Sequence, residues 1–414
     1  MAAPATEAPV LPPAKRNKAD TSLLHTSAAL PAADWSALLP DLVRRVADSL
    51  LATNDLDCYM DFRAVCSGWR AATDDPRSDP SDPRFRPQRW VILDDGADPR
   101  FLPYRLVFLN DGADLLLLNA ATGRFLRKRT PLRRRYSVVA TTPGGLFVLA
   151  DRNHSRAACV FNPLTGVLIR FAAPVPTEEV AVATVVFGRG SSPTLNLFCD
   201  SSLNFYVAAP VSESFNKHNV STYYFLRKAV RGGWGLCYPW RYFVMCKIFD
   251  LIESLHVDPI KFFSQDLPVA GHTNDHGWCF LVELGGQVLV VIKLHRCVKV
   301  FKMEVDSIVP VESIGSHAIF IGHHRCLAVD THKFPSVEAN CIYYVERLAS
   351  SAYICMYNLK DEEDEMISAG AVDFMKTDKL FVIAPHRPFT IIHLLSSYTI
   401  NVRDSQLPLQ QDAN

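Results

Sequence analysis

The sequence predicts an α+β multidomain chain, a small three-helix module followed by a larger all-β domain of β-propeller type. Three observations predict it. Apolar residues recur at helical spacing between Pro40 and Trp69. From about residue 90 the texture changes to short runs of β-type residues separated by turn signals. One turn motif returns 43 residues later, within the ~40–50-residue period of propeller blades.

Bulk properties set the frame. At 414 residues the chain is long enough for two domains. Its 49% hydrophobic and 21% charged content is that of a globular protein with a large core. The 43 basic and 43 acidic residues cancel, which argues against nucleic-acid binding driven by bulk charge. The 11 cysteines are scattered singly from Cys58 to Cys355 without a Cys-x-x-Cys pair. That pattern fits free thiols in a reducing compartment, not a disulfide framework or a zinc ribbon. The N-terminus has no apolar signal core, and no apolar run approaches the ~20 residues that span a bilayer. A cytoplasmic and/or nuclear protein with no membrane partner is expected.

The elements follow in order. Residues 1–33, rich in Ala and Pro, read as a disordered tail. Its Lys15-Arg16-Asn17-Lys18 is either a solvated charge cluster or a nuclear-import signal. Residues 34–73 form the helical module. Pro40 suits a first helical position and Asp41 favours the N-terminal dipole. Leu42, Val46 and Leu50, with Val43 beside them, make one apolar stripe. Asn54 or Asp55 caps a second helix through Leu56, Tyr59 and Met60. Val65, Cys66 and Trp69 mark a third. Three such short helices bury little surface alone, so some of these side chains are expected to face a partner. The prolines Pro76, Pro80 and Pro83, each following an aspartate, mark 74–90 as an irregular linker.

Residues 91–402 form the β domain, with 403–414 as a C-terminal tail. Strand-like runs include Leu106–Leu109, Leu115–Leu118, Leu146–Ala150, Ala158–Phe161, Leu195–Cys199 and Leu203–Val207. The series continues through Val288–Ile292, Val298–Val305, Ala318–Ile321, Cys341–Val345, Tyr353–Tyr357 and Leu380–Ile383. Phe301, Met303 and Val305 alternate with Lys302 and Glu304, as on a half-buried strand. Val288–Ile292 is apolar throughout, as on a strand covered on both faces. Asn110-Asp111-Gly112 and Asp200-Ser201-Ser202 read as hairpin turns. The repeated motif is Asn119-Ala120-Ala121-Thr122-Gly123-Arg124 and Asn162-Pro163-Leu164-Thr165-Gly166-Val167, with a weaker echo at Tyr357–Asp361. Gly123 and Gly166 supply the positive φ that closes each turn. Radial blades protect the edges of many short strands. A pair of β-sandwiches is the alternative.

Signals for bond-making chemistry are sparse. His272 and His276 lie four apart with Cys279 nearby, a zinc spacing on a helix. Gly271, Asn274, Asp275 and Gly277 argue for a loop there, and no metal is expected. His317, His323 and His324 flank a strand and turn, where histidine caps or packs. Gly188-Arg189-Gly190-Ser191-Ser192 lacks the Lys of a phosphate loop and reads as a hairpin tip. Neither Gly-x-Ser-x-Gly nor His-Glu-x-x-His occurs, so no catalytic residue or cofactor is expected. Two charge runs remain. Arg124, Arg127, Lys128, Arg129, Arg133, Arg134 and Arg135 form a basic stretch, and Asp361–Glu365 an acidic one. Both read as solvated loops. The alternative is that one recruits an oppositely charged target segment, phosphorylated in the case of the arginines. That makes Arg127, Lys128, Arg129, Arg133, Arg134 and Arg135 candidates for target binding. Nucleic acid fits poorly, since only Phe125 and Tyr136 interleave with the run.

Leu39-Pro40-Asp41-Leu42, Val46, Leu50, Leu56 and Val65-Cys66-Ser67-Gly68-Trp69-Arg70 together resemble an F-box. Its family commonly carries Ile where Val46 stands and a basic residue near Ser67 or Gly68. The resemblance implies docking on a Skp-type adaptor, and through it on a cullin and a RING subunit. It assigns Leu39, Pro40, Leu42, Val46, Leu50, Val65 and Trp69 to the adaptor-facing surface or the module core. Further along, Ser313-Ile314-Gly315-Ser316-His317-Ala318-Ile319-Phe320-Ile321-Gly322, Phe334-Pro335 and Asn340-Cys341-Ile342-Tyr343-Tyr344 are similar to a large plant family of F-box proteins. The second domain of that family is labelled domain of unknown function 295 and is kelch-like. This second resemblance implies a non-catalytic subunit that recruits a protein target for ubiquitination. A ligase-independent binding or inhibitor protein is the alternative, and a propeller enzyme or lectin a third.

Overall fold

The computed structural model describes residues 35–93, 114–129, 135–142, 145–152, 155–178, 180–187, 192–199, 204–219, 230–231, 251, 254–255, 278–294, 297–304, 307–322, 325–348, 350–367, 371–377, 380–384 and 390–401. Outside them lie both tails with Lys15–Lys18, the run Leu106–Leu109 and the turns at Asn110–Gly112 and Asp200–Ser202. Gly188–Ser191, His272, His276, His323, His324, Arg133 and Arg134 also lie outside.

Pro40 opens helix α1 (Pro40–Ala52), where its missing N–H costs nothing. Asp41 pairs with Arg44 at 2.8 Å. The helix carries two apolar stripes instead of one. Val43 and Ala47 are buried, Leu42 and Val46 are exposed, and Leu50 is half-buried. At ~100° per residue, Leu50 has turned about 80° from Leu42 and sits beside the Val43 stripe. Helix α2 (Leu56–Ala64) has Asp55 at its N-cap without a side-chain cap. Asn54, at φ 56°, turns its amide outward: it donates to Arg86 O at 2.8 Å and accepts from Arg89 N at 3.2 Å. The expected cap is therefore absent, because both side chains bind later parts of the chain. In α3 (Ser67–Ala71) the Cys66 sulfur accepts from Trp69 N at 3.4 Å. Residues 74–90 pack closely on the module. Tyr59 Oη donates to Asp74 O at 2.7 Å, and the buried Arg63 guanidinium binds Thr73 O at 2.8 Å and Asp75 at 3.1 Å. A 3-10 turn at Pro83–Phe85 places buried Phe85 5.6 Å from the Tyr59 ring.

Five sheets follow. The first is β1 (Trp90–Leu93), β2 (Asp114–Asn119) and β3 (Phe125–Arg129). The second is β4 (Tyr136–Thr141), β5 (Phe147–Asp151), β6 (Ala157–Phe161) and β7 (Leu168–Pro174). The third is β8 (Val180–Val186), β9 (Thr194–Cys199), β10 (Asn204–Ala208) and β11 (Asn216–Asn219). The fourth runs β12 (Val230–Arg231), β13 (Trp278–Leu284), β14 (Gln287–Lys293), β15 (Val298–Met303) and β16 (Ile308–Pro310). The fifth is curled. It holds β17 (His317–Ile321), β18 (Cys326–Asp330), β19 (Cys341–Leu348), β20 (Ser351–Asn358), β21 (Glu363–Met366), β22 (Phe374–Thr377) and β23 (Leu380–Ile383). Pairing is antiparallel except for β12 with β13 and β17 with β19. The β domain is propeller-like, with four blades and the curled sheet.

Neighbouring sheets share cores. Leu115 and Leu117 meet Phe147 and Phe161; Val148 and Val160 meet Leu195 and Leu197. Phe280 and Val291 meet Ile319 and Ile342; Phe320 and Tyr343 meet Val91 and Leu93. Strands covered on both faces explain unbroken apolar runs such as Leu289–Ile292, all buried. On β15 both Val300 and Phe301 are buried, so the alternation expected there is incomplete.

An all-β domain was expected over 91–402, yet helix α4 (Ile391–Ile400) lies near its end. Thr390 caps it through His393 N at 3.4 Å. Leu394, Leu395 and Ile400 join the cluster of Val91, Leu93 and Phe320, so the helix fills the seam between the first and fifth sheets.

The repeated turn is one structure. Asn119 Oδ1 accepts from Ala121 N and Thr122 N at 2.9 and 3.3 Å, and Asn162 Oδ1 from Leu164 N and Thr165 N at 3.0 and 3.2 Å. Gly123 and Gly166 sit at φ 71° and 74°. The echo is the same turn: Asn358 Oδ1 accepts from Lys360 N and Asp361 N at 2.9 and 3.4 Å, and Glu362 occupies the glycine position at φ 53°.

Candidate protein-docking face

The helical module has an inner and an outer side, and the sequence of α1 decides which residue goes where. Val43, Ala47, Leu56 and Tyr59 are at most 3% exposed. Ala47, Leu56 and Tyr59 share a core with Phe85 of the preceding turn and with Trp90, Leu115, Leu117, Phe147 and Leu164 of the sheets. The outer side is the reverse. Leu39 is 66% exposed, Leu42 42%, Val46 44% and Val65 58%. Leu39, Leu42 and Val46 stand at i, i+3 and i+7 and so share one face of the helix. Trp35, in a 3-10 turn at Trp35–Ala37, adds a further exposed ring. Among the described residues, five of the ten large exposed apolar side chains fall between Trp35 and Val65. Isolated exposed apolar residues are ordinary, but this concentration marks an interaction surface. Pro40 is exposed beside them, while Leu50 and Trp69 are half-buried. Trp69 packs on Phe62 with ring centroids 4.4 Å apart and tilted by 31°, and donates its indole N–H to Trp35 O at 3.1 Å. It thereby fixes the first turn against α3.

The basic stretch takes another form than a solvated loop. Its first half is strand β3, paired with β2. Arg124 forms an ion pair with Asp55 and approaches Asp57 at 3.8 Å. Lys128 binds Asp57 at 2.9 Å and Leu164 O at 3.1 Å. Lys128 is thus engaged within the chain. Arg127 is exposed, and Arg135 is exposed with a 3.2 Å bond to Asp151. Arg129 is placed by its backbone alone. The acidic run is also more than a loop, since β21 pairs with β20 and Asp364 accepts from Tyr344 Oη at 2.5 Å.

The remaining candidates separate. Cys279 is buried on β13, and His317 is half-buried on β17. No cluster of three or more His, Cys, Asp or Glu suited to a metal occurs among the described residues. No helix among them is long and apolar enough to cross a membrane. Cys159, Cys199, Cys341 and Cys355 are free thiols buried in the sheets.

The KIB1-4 beta-propeller model matches residues 117–358, more than half of the chain. The chain belongs to the KIB1-4 beta-propeller family. No curated protein matches it. The matched span begins within β2 and ends at the last residue of β20, so it takes in the first two copies of the Asn-turn and reaches the first residue of the third. The helical module lies before the KIB1-4 span, joined to its first two blades through the shared core. A propeller of this family presents a protein-interaction scaffold, and the apolar outer face of the module is a second surface suited to binding protein. The inner role of Asn54 is not legible in the sequence, because its side-chain partners Arg86 and Arg89 lie 30 or more residues further along.

Proposed function

We propose that this KIB1-4 propeller protein is the substrate-recognition adaptor of an SCF-type (Skp-cullin-F-box) ubiquitin ligase. One observation carries the reading. Of the seven positions that the F-box resemblance assigns to the adaptor-facing surface or the module core, Leu39, Pro40, Leu42, Val46 and Val65 are exposed and Leu50 and Trp69 half-buried, while Val43, Ala47, Leu56 and Tyr59 between them are buried. Leu50 packs against the inner core and Trp69 against Phe62. Apolar side chains held out from a folded module gain ~25 cal/mol for each Å² that a partner covers. The propeller then holds a protein target, with Arg127 and Arg135 as exposed candidates for an acidic or phosphorylated segment. Arg129, Arg133 and Arg134 extend that candidate set. In this reading the chain makes no bond itself. It supplies proximity between target lysines and a charged conjugating enzyme, in the cytoplasm and/or nucleus.

The test is co-purification with a Skp-type adaptor. The parent chain is expected to retain the adaptor and the Leu39→Ala, Pro40→Ala and Trp69→Ala variants to lose most of it. Equal retention by parent and variants contradicts the reading. A second reading, a ligase-independent binding or inhibitor protein, is favoured by the way the inner face of the module is built into the first two blades. Under it, target abundance does not respond to proteasome inhibition.

A further inference from the structure

Each asparagine of the repeated turn has one oxygen and one nitrogen. The oxygen alone shapes the turn, by accepting two backbone N–H groups. The nitrogen is spare, and in the first two blades it reaches the N-terminal region. Asn119 Nδ2 donates to Thr53 O and Asn54 O, each at 3.4 Å, and Asn162 Nδ2 to Phe85 O at 2.7 Å. Both side chains are buried. Among the described residues, Asn358 makes the same turn without a bond to residues 35–93. Arg124, directly after the first of these turns, grips Asp55 at the start of α2, and Lys128 grips Asp57. These bonds hold two separate stretches, 53–57 and 85, from two neighbouring blades. Together with the core that the module shares with the first two blades, these bonds limit how far it can turn against them.

We propose that Asn119, Asn162 and Arg124 are positioning residues of the ligase. They touch neither adaptor nor target. They fix the angle between the outer face of the module and the propeller, and so decide which lysines come within reach of the conjugating enzyme. The proposal rests on the adaptor reading given above.

The substitutions Asn119→Asp and Asn162→Asp separate the two roles of the asparagine. Aspartate keeps the oxygen that forms the turn and removes the nitrogen donor. Three measurements on the full chain decide. First, adaptor binding is expected to be equal in the parent and the double variant. If the parent does not bind, the adaptor reading fails and this role fails with it. Second, amide hydrogen exchange at 53–60 is expected to become about tenfold faster in the variant, with 147–150 and 195–199 unchanged. Unchanged exchange at 53–60 overturns the clasp whatever the adaptor does. Third, a reconstituted ligase modifies the chain's own lysines, which serve here as the probe. The parent is expected to be modified at a narrow set, and the share at its main site to fall at least about threefold in the variant, because small misplacements disperse transfer. An identical lysine pattern with adaptor binding intact overturns the positioning role alone. Should the double variant not fold, Arg124→Gln enters the same three measurements with the same expectations.

Discussion

The indole N–H of Trp90 donates to the carbonyl of Asn54 at 2.7 Å, joining the first propeller strand to the loop between α1 and α2. Both residues are buried. Trp90→Phe keeps most of the ring volume and removes the donor, at an expected cost of about 1–3 kcal/mol. Urea unfolding followed by fluorescence and by circular dichroism measures it. The module and the first blade share one core, so the two probes are expected to coincide in parent and variant. An early separate transition of the helices contradicts that shared core.

Gly322 lies against α4. A Cβ added there would come 2.6 Å from Thr399 Cβ, with the Thr399 backbone nearer still. Helix α4 is held by Asn401, which bonds Phe381 N and O at 3.0 and 2.8 Å, so it cannot easily move away. Gly322→Ala is therefore expected to destabilise the fold by about 1–3 kcal/mol, the usual cost of overpacking. Thermal unfolding checks it, and an unchanged midpoint contradicts the tight seam.

Glu362 holds the left-handed position that glycine holds in the other two copies of the turn. A non-glycine residue there costs about 1 kcal/mol. Its ion pair with Lys299 at 3.1 Å is largely exposed and returns little. Glu362→Gly is expected to raise stability by about 0.5–1 kcal/mol, against the usual trend for glycine. Equilibrium denaturation reads the sign directly.

Alkaline pH is expected to weaken the fold. Burial pushes the thiols of Cys199 and Cys355 up to about 12 and that of Cys341 to about 11, from an ordinary value of 9.0. It pushes the phenols of Tyr206 and Tyr343 up to about 12 from 10.0. In each case the neutral form is favoured by folding. The contribution is complete below the ordinary value and is lost as pH rises through the folded one. Arg347, lowered to about 10 by burial, and Arg86, also lowered by burial, act in the opposite direction. The urea midpoint should stay level up to about pH 9 and fall above it. A midpoint that rises over that range contradicts the assignment.

Much of this architecture is legible in local sequence. Apolar runs such as Leu195–Cys199 and Val288–Ile292 become strands because both faces are covered, and the Asn-x-x-x-Gly spacing declares its turn through one side chain and one φ angle. What stayed hidden depends on distant residues. Phe125–Arg129 reads as a charged loop, yet it is strand β3, paired with β2, and its Lys128 is neutralised by Asp57. Ile391–Ile400 is rich in β-branched residues, and its helix follows from the Thr390 cap and the close approach to Gly322. On α1, spacing alone cannot tell the stripe of Leu42 and Val46 from that of Val43 and Ala47. The packing of α2, α3, the Pro83–Phe85 turn and the docked β domain makes them different.

That difference gives the most direct test. Leu42→Asp with Val46→Asp changes only side chains that already face solvent, so thermal stability is expected to stay near that of the parent. Calorimetric titration with a purified Skp-type adaptor should show tight binding to the parent and at least about hundredfold weaker binding to the double variant, as for loss of central apolar anchors. A parent that does not bind, or a folded double variant that binds equally well, contradicts the claim that this outer face is the docking surface.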